Sequence, residues 1–297
     1  MTDKPFVVAC IPAFNEEGTI AKVVISAQKC VGKVVVCDDG SSDLTGEIAR
    51  RLGAEVIRHD SNMGYGASLR SLFNKVIELN ADVMVTLDAD GQHNPEDIPM
   101  LVKPILDGEA DMVIGSRFLD EKSESNIPSY RRKGIKMITN MAKAISFDNI
   151  TDAQSGYRAY SMKALSLVHP VEYGMGASTE ILLKAKEHAL SVVEVPVFVD
   201  YKYSHTHNPL AHALGVVLSM VKCLSIRRPL FFYGLPGILA LTIAMGFWVW
   251  CLQIFSATRT LPTNMTLVAV FMTVAGLVLL TTAVLLWVLI AVLREKA

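Results

Sequence analysis

Cysteine is scarce and unpatterned in this chain. The five residues, at 10, 30, 37, 223 and 251, form no C-x-x-C pair and their number is odd. Free thiols in a reducing compartment are therefore expected rather than a disulfide framework. No G-x-G-x-x-G follows the first apolar run, and no G-x-x-x-x-G-K-[ST] occurs anywhere. Those absences weigh against NAD binding and P-loop chemistry. Neither sign of charge dominates: 28 Lys and Arg face 29 Asp and Glu, a formal net charge of −1. Nothing in that balance draws the chain to nucleic acid.

Charge is also missing in two long blocks, and this absence is informative. No charged side chain lies between Pro229 and Thr258, and none between Thr260 and Leu293. Each block exceeds the ~20 apolar residues that cross a bilayer. Buried core helices would be the alternative, but such helices normally keep a polar face. Basic residues flank the pair: Arg227 and Arg228 precede the first block, Arg294 and Lys296 follow the second, and the connector holds only Arg259. The positive-inside rule then places the N-terminal part and both termini in the cytoplasm of a multi-pass protein of the cell membrane or an endomembrane. The opening "MTDKPFVVACIPAF" reads as a Pro-interrupted strand, not as a signal peptide.

What precedes the membrane blocks alternates. "FVVACIPAF", "KVVVCDDGSSD", "AEVIRH", "DVMVTLDAD" and "DMVIGSRF" read as strands, and "NEEGTIAKVVISAQ", "DLTGEIARRL", "GYGASLRSLFNKVIEL" and "PEDIPMLVKPIL" as helices, with Asn15 a candidate N-cap. Continuous apolar strands between helices predict an α/β fold with a parallel sheet covered on both faces. Ligands of such sheets bind beyond the carboxyl ends of the strands. The polar clusters "NEE", "DDGSSD", "DAD" and "SRF" all fall at those ends. After Phe118 comes a polar, turn-rich segment read as a mobile loop. "YRRKGIKMITNMAKAISF" follows, with Ile135, Ile138, Met141 and Ile145 on one face and basic residues at 131, 132, 133, 136 and 143. This predicts an amphipathic helix at the membrane interface. The expected division is a catalytic domain over 1–205, an interfacial linker over 206–228 and a membrane anchor over 229–297.

Asp88 and Asp90 end an apolar run with one residue between them. In extended chain, i and i+2 point to one side. Two hard oxygen donors so placed suit Mg²⁺ or Mn²⁺ bridging to substrate phosphates, with Gln92 as a further oxygen. The competing reading makes both acids caps of the next helix. His93 is a ligand, a surface residue or a residue behind the site, the last two favoured. "DDGSSD" offers acids to a base or ribose edge, against an Asx turn as the plain alternative. "NMGYGAS", with Gly64, offers backbone N–H groups near a helix start, a setting that favours anions.

Six segments in order, "CIPAFNEEGTI", "VVVCDDGSSDLTGEIA", "NMGYGASL", "VTLDADGQHNPEDIPML", "DMVIGSRF" and "DAQSGYRAYSMKAL", resemble the motifs of inverting family 2 glycosyltransferases with the GT-A fold. Within that family they look most like dolichyl-phosphate and polyprenyl-phosphate sugar synthases, over roughly residues 5 to 200. The resemblance implies a nucleotide pocket at Pro12, Ala13, Asn15, Glu16, Asp38, Asp39, Ser41 and Gly64, with Asp39 reading the base. It implies a metal on Asp88, Asp90 and Gln92, and a nucleotide-sugar donor. The acceptor it implies is a polyprenyl or dolichyl phosphate in the lipid bilayer, and the product a lipid-phosphate-linked sugar for glycosylation.

A lipid phosphate is already anionic near neutral pH, so its attack needs cations rather than a strong base. Arg117 is expected both at the chemical step and, with Arg131, Arg132 and Lys133, at the acceptor phosphate; Arg suits bidentate phosphate contact. Lys136 and Lys143 are equally well explained by anionic headgroups. Gln154, Ser155, Lys202 and His205 are expected to line a donor and acceptor loop. "YKYSHTHNPLAHA" departs from the Gly-Glu-Ser-Lys type segment of mannose-transferring members, and His205, His207 and His212 have no counterpart there. The donor therefore stays open among UDP-glucose, UDP-N-acetylglucosamine and GDP-mannose, with a lean toward UDP. Two rivals remain: a processive polysaccharide synthase, disfavoured because Trp248, Trp250 and Trp287 all lie in the apolar blocks and leave no Q-x-x-R-W motif, and a non-catalytic membrane scaffold. Association of copies through the apolar helices is a further expectation.

Overall fold

The computed structural model describes residues 5–295 apart from 126, 128–131, 133, 137–138, 141–148, 175, 201–224 and 226–228; side chains are described neither for 121–122 nor for 291–295. The chain forms two compact units, Met1–Ser219 and Met220–Ala297.

The first unit is built on β1 (Val7–Ala13), α1 (Ile20–Gln28), β2 (Lys33–Asp38), α2 (Thr45–Arg51), β3 (Glu55–Arg58), α3 (Tyr65–Glu78), β4 (Val83–Thr86), a 3₁₀ turn (Pro95–Asp97), α4 (Ile98–Leu106), β5 (Met112–Ser116), α5 (Glu121–Ser125), β6 (Arg158–Ser161), α6 (Met162–Leu167), α7 (Ala177–Glu187) and β7 (Val192–Pro196). Seven strands make one sheet in the order β3-β2-β1-β4-β6-β5-β7. The sheet is mostly parallel and flanked by helices, as expected. β6 is the departure: it runs antiparallel to both β4 and β5. The sequence reading assigned neither β6 nor β7 as strands.

All seven residues of β1 are buried, which is why its sequence shows no alternation. On one face Ala9 and Ile11 pack into a core with Ile20, Val23 and Val24 of α1 and with Ile98, Leu101 and Val102 of α4. On the other, Phe73 of α3 meets Tyr160 of β6 edge to face at 5.1 Å. β1 pairs with β2 on one side and β4 on the other, with Ala13 opposite Asp38 and Cys10 opposite Thr86. The chain direction of sheet growth reverses at β1, the position where open α/β sheets bind ligands.

Two boundaries differ from expectation. α1 begins at Ile20, with Thr19 in the N-cap position but making no side-chain capping bond, and not at Asn15, which adopts a left-handed φ of 55°. The helix after β4 is capped by Asn94, whose side chain accepts from Glu96 N–H at 3.3 Å. Asp88 and Asp90 are therefore released from that duty.

The second unit holds a π-helical turn (Leu230–Gly234) leading into α8 (Leu235–Thr258), then α9 (Thr263–Glu295). Leu230–Thr258 and Thr263–Ile290 are long and apolar enough to cross a membrane. Leu252, Phe271 and Leu285 are 65%, 69% and 70% exposed, which does not fit core helices of a water-soluble protein. Trp248 Nε1 donates to Thr273 Oγ1 at 3.1 Å across the pair, the kind of interhelical bond that joins helices where no water competes.

Asp38, at the end of β2, is fully buried. Its Oδ1 accepts from Ser41 N–H at 2.9 Å and its Oδ2 lies 3.2 Å from Arg58 Nη1. The carboxylate packs on the first turn of α2 so closely that a Cβ on Gly46 would stand 2.3 Å from Oδ2. Gly46→Ala is expected to destabilise the detergent-solubilised protein by ~1–3 kcal/mol, the usual cost of overpacking. An unchanged thermal midpoint would mean that Asp38 can move aside.

Candidate active site

A cavity of about 410 Å³ opens at the carboxyl ends of β1, β2 and β4, lined by Pro12, Ala13, Phe14 and Glu16, by Asp39, by Asn62, Gly64, Tyr65 and Ser68, by Asp88, Ala89 and Asp90, and by Gln154, Gly156 and Ser178. The fold thus gathers Pro12, Ala13, Glu16, Asp39, Gly64, Asp88, Asp90 and Gln154 of the expected residues at one place.

Four other expected residues act beside it. Asn15 N–H donates to Ser41 Oγ at 2.9 Å, and Asn15 Oδ1 accepts from Ser42 N–H at 2.9 Å. Glu17 N–H donates to Asp43, while Leu44 N–H donates to Glu17, each at 3.1 Å. These reciprocal bonds tie the loop after β1 to the loop after β2, so Asn15 and Ser41 hold the rim without lining the cavity. Asp38 is sealed beneath it, because successive residues at a strand end point to opposite sides. Ser155 is buried, and its Oγ accepts from Tyr157 N–H at 3.3 Å.

Asp39 takes three donors. Its Oδ1 accepts from His59 Nδ1 at 2.6 Å and from Met63 N–H at 3.0 Å; its Oδ2 accepts from Gly64 N–H at 2.8 Å. Gly66 N–H goes to Tyr173 O at 2.8 Å. Three amides of "NMGYG", those of Met63, Gly64 and Gly66, thus point at protein acceptors. Gly64 keeps its place for another reason: at φ 98°, a Cβ there would meet Tyr173 O at 2.5 Å.

β4 ends at Thr86, two residues before Asp88, so both acids lie beyond the strand, and strand alternation does not explain why they share the cavity. The turn does: Asp90 Oδ1 accepts from Gln92 N–H at 3.0 Å, with Gly91 at φ 73°. Gln92 does not line the cavity; its carbonyl accepts from Asp200 N–H at 3.0 Å. Protein crowds the Asp88 carboxylate although its side chain stays 37% exposed through the cavity mouth. Burial pushes its pKa up to about 6, with the Arg117 guanidinium opposing and Glu16 reinforcing the shift. Gly156 makes room for it: a Cβ there would stand 2.9 Å from Asp88 Oδ1 and 3.1 Å from Tyr65 Oη.

His93 sits behind the acids, on neither a ligand position nor the surface. Its ring packs on Tyr157 at 4.9 Å and its Nδ1 accepts from Asp88 N–H at 3.3 Å. Burial pulls its pKa down to about 4, so it is neutral at physiological pH. Among the described residues no group of three or more His, Cys, Asp or Glu is placed to hold a metal. Asp88 and Asp90 supply only part of a coordination sphere.

Arg117, after β5, is gripped by Asp152: Nε and Nη2 donate to the two carboxylate oxygens at 2.6 and 2.7 Å. Glu194 of β7 holds that loop by accepting from Thr151 N–H and Asp152 N–H. Arg117 does not line the cavity. Arg132 is helical and donates to Ile127 O at 3.3 Å. Lys136 pairs with Glu124 at 2.6 Å. Arg131, Lys133, Lys143, Lys202, His205, His207 and His212 lie outside the described residues, as does most of the expected amphipathic helix. Phe14, Asn62, Tyr65, Ser68, Gly156 and Ser178 line the cavity without having been singled out. No pattern in the sequence marks them, because their role comes from which loop end they occupy.

The raised pKa of Asp88 has a signed consequence. Above about pH 6 the folded protein carries a carboxylate that would sooner be protonated, which costs stability relative to the unfolded chain. Asp88→Asn should therefore melt higher than the parent at pH 7.5 in EDTA. The gap should shrink as pH falls through 6 and vanish near pH 4. A lower melting temperature for the variant at pH 7.5 would show that Asp88 is stabilised as the anion instead.

The family model for "Glycosyl transferase family 2" matches residues 8–168. The chain is 32% identical over 238 residues to the UDP-N-acetylglucosamine–dolichyl-phosphate N-acetylglucosaminyltransferase of Methanococcus voltae, covering 73% of this chain and 93% of that one. It is 31% identical over 220 residues to a dolichyl-phosphate hexose transferase of Haloferax volcanii, covering 72% and 92%. Its fold matches Mycobacterium tuberculosis glucosyl-3-phosphoglycerate synthase, solved with Mn²⁺, UDP and phosphoglyceric acid, at a TM-score of 0.58 and 21% identity over 73% of this chain and 78% of that one. The motifs, the sheet that carries them and these matches agree: the chain belongs to glycosyl transferase family 2.

Proposed function

We propose that this enzyme moves one sugar from a nucleotide-sugar donor to a polyprenyl or dolichyl phosphate at the cytoplasmic face of a membrane, with inversion at the anomeric carbon. The observation that carries this reading is the meeting of Asp39 with Asp88 and Asp90 in one cavity at the point where the sheet reverses its order. A nucleotide in that cavity would place its base at Asp39 and its diphosphate at Asp88 and Asp90. The names of the relatives in Methanococcus voltae and Haloferax volcanii support the lipid phosphate acceptor.

Asp88 and Asp90 fit a hard divalent cation. Asp88 is crowded and reluctant to ionise alone, and two carboxylates leave positions for diphosphate oxygens and water, as Mg²⁺ and Mn²⁺ prefer. When bound, such an ion neutralises the charge that develops on the leaving diphosphate. The Mn²⁺ of the structurally similar synthase supports that assignment. The acceptor's phosphate oxygen forms the new bond to the anomeric carbon on the face opposite the departing nucleoside diphosphate. Because that oxygen is already anionic, no residue of the cavity has to remove a proton. Arg117, aimed by Asp152, is proposed to hold the acceptor phosphate together with Arg131, Arg132 and Lys133. The expected catalytic domain, interfacial linker and two-helix anchor follow the same logic. The basic residues flanking α8 and α9 would keep the cavity on the cytoplasmic side.

Purified full-length protein given dolichyl phosphate, Mn²⁺ or Mg²⁺ and labelled UDP-glucose, UDP-N-acetylglucosamine or GDP-mannose should pass label to the organic phase from one donor, and EDTA should stop it. Asp90→Ala should remain folded in the membrane fraction yet lose transfer by more than the ~10–100-fold typical of losing a metal's outer-shell partner. No transfer from any donor by protein that binds nucleotide would reject the acceptor. Near-normal turnover by Asp90→Ala would reject the metal.

A further inference from the structure

Among the described residues, His59 is the side chain that hydrogen-bonds Asp39, and it does not line the cavity itself. It follows β3 directly, and its side chain is 10% exposed. An ionised carboxylate only accepts, so the 2.6 Å contact puts the proton on His59 Nδ1. The ring is held from its far side, where Nε2 lies 2.9 Å from Ser71 Oγ and 3.6 Å from Cys37 Sγ. His59 therefore delivers a fixed N–H to Asp39 Oδ1.

A carboxylate has about four lone-pair sites, two on each oxygen. Oδ1 already accepts from His59 and from Met63 N–H, and Oδ2 accepts from Gly64 N–H. One site is left, on Oδ2. The two edges a base can offer to an acid differ at this point. Guanine presents two adjacent donors, N1–H and the exocyclic amine, and grips a carboxylate by both oxygens. Uracil presents a single imide N–H. Adenine and cytosine would set a ring-nitrogen lone pair against the carboxylate.

We infer that His59 is a specificity-determining residue that, by saturating Asp39 Oδ1, restricts the base site to a single donor and so selects a uracil nucleotide over a guanine nucleotide. The inference rests on the nucleotide-sugar reading above and narrows its donor to UDP-sugars. It names His59 as a positioning residue, because the ring acts through Asp39.

The test is calorimetric binding of UDP and GDP, each with Mn²⁺, to the full-length protein. Wild type should bind UDP at least about tenfold more tightly, since an unmade hydrogen bond to a charged group is worth at least that factor. His59→Leu frees the second lone pair and should narrow the UDP:GDP ratio by about tenfold, whereas His59→Gln, which keeps an N–H donor, should hold the ratio closer to wild type. Equal or tighter GDP binding by wild type overturns the inference whether or not the variants fold. So does a folded His59→Leu with an unchanged ratio. Binding of neither nucleotide would overturn the nucleotide-sugar reading itself, and the inference with it.

Discussion

Parallel pairing of β1 with β2 on one side and β4 on the other is the constraint from which the site follows. Parallel neighbours bring equivalent ends of their strands together. Three loops from separate parts of the chain therefore meet over the end of β1, and each brings an acid: Glu16, Asp39 and Asp88. Because every residue of β1 is buried, the register is fixed by apolar contacts on both faces, and a slip by one residue would move all of them. The acids are placed by a hydrophobic core that has no chemical role.

Once gathered, the acids divide by what surrounds them. Asp38, Asp39, Asp43 and Asp152 are each met by backbone amides or a cation within the protein. Hydrogen bonds to a charged group contribute ~1.5–3 kcal/mol each, so these carboxylates are settled before any ligand arrives. Asp88 is not: its pKa rises to about 6 through crowding, which marks it as the carboxylate with most to gain from an added cation. The two classes suit the two duties proposed for them: a base or a loop is held in a fixed direction, whereas a metal is attracted.

Much of this was legible in the sequence. The apolar runs gave β1, β2, β4 and β5, the charge-free blocks gave the two long helices, and the acids at strand ends gave Asp39, Asp88 and Asp90. What was not legible depended on partners distant along the chain. "DDG" shows two acids, and strand alternation says that only one faces the cavity, but which one is set by Arg58 and Gly46 beneath Asp38. "NMGYG" offers amides whose commitment to Asp39 cannot be seen locally. Ser41 and Asn15 looked like ligands' partners because polar residues near a strand end serve a rim or a ligand with the same chemistry. "RAYS" gave no strand signal, since it opens on an arginine in a position where strands carry apolar side chains.

That arginine, Arg158, braces two of the segments that line the cavity. Arg158 is 1% exposed and no carboxylate lies within ion-pair distance of it among the described residues. It donates instead to three carbonyls, Ser155 O, Ser178 O and Ala153 O, at 2.8, 2.9 and 2.8 Å. A planar fork of donors can reach three diverging carbonyls where a lysine ammonium could not. It thereby joins the loop before β6 to the start of α7, and both Gln154 and Ser178 reach the cavity from those segments. Its charge also counts: left without a carboxylate of its own, it lowers the pKa of Asp88 against burial, as Arg117 does more strongly. Were Asp88 buried without these two guanidiniums, its pKa would stand higher still and the acid would be protonated over more of the physiological range. The antiparallel strand that interrupts an otherwise parallel sheet thus supplies a buried cation at the place where the Asp88 carboxylate needs help to stay ionised.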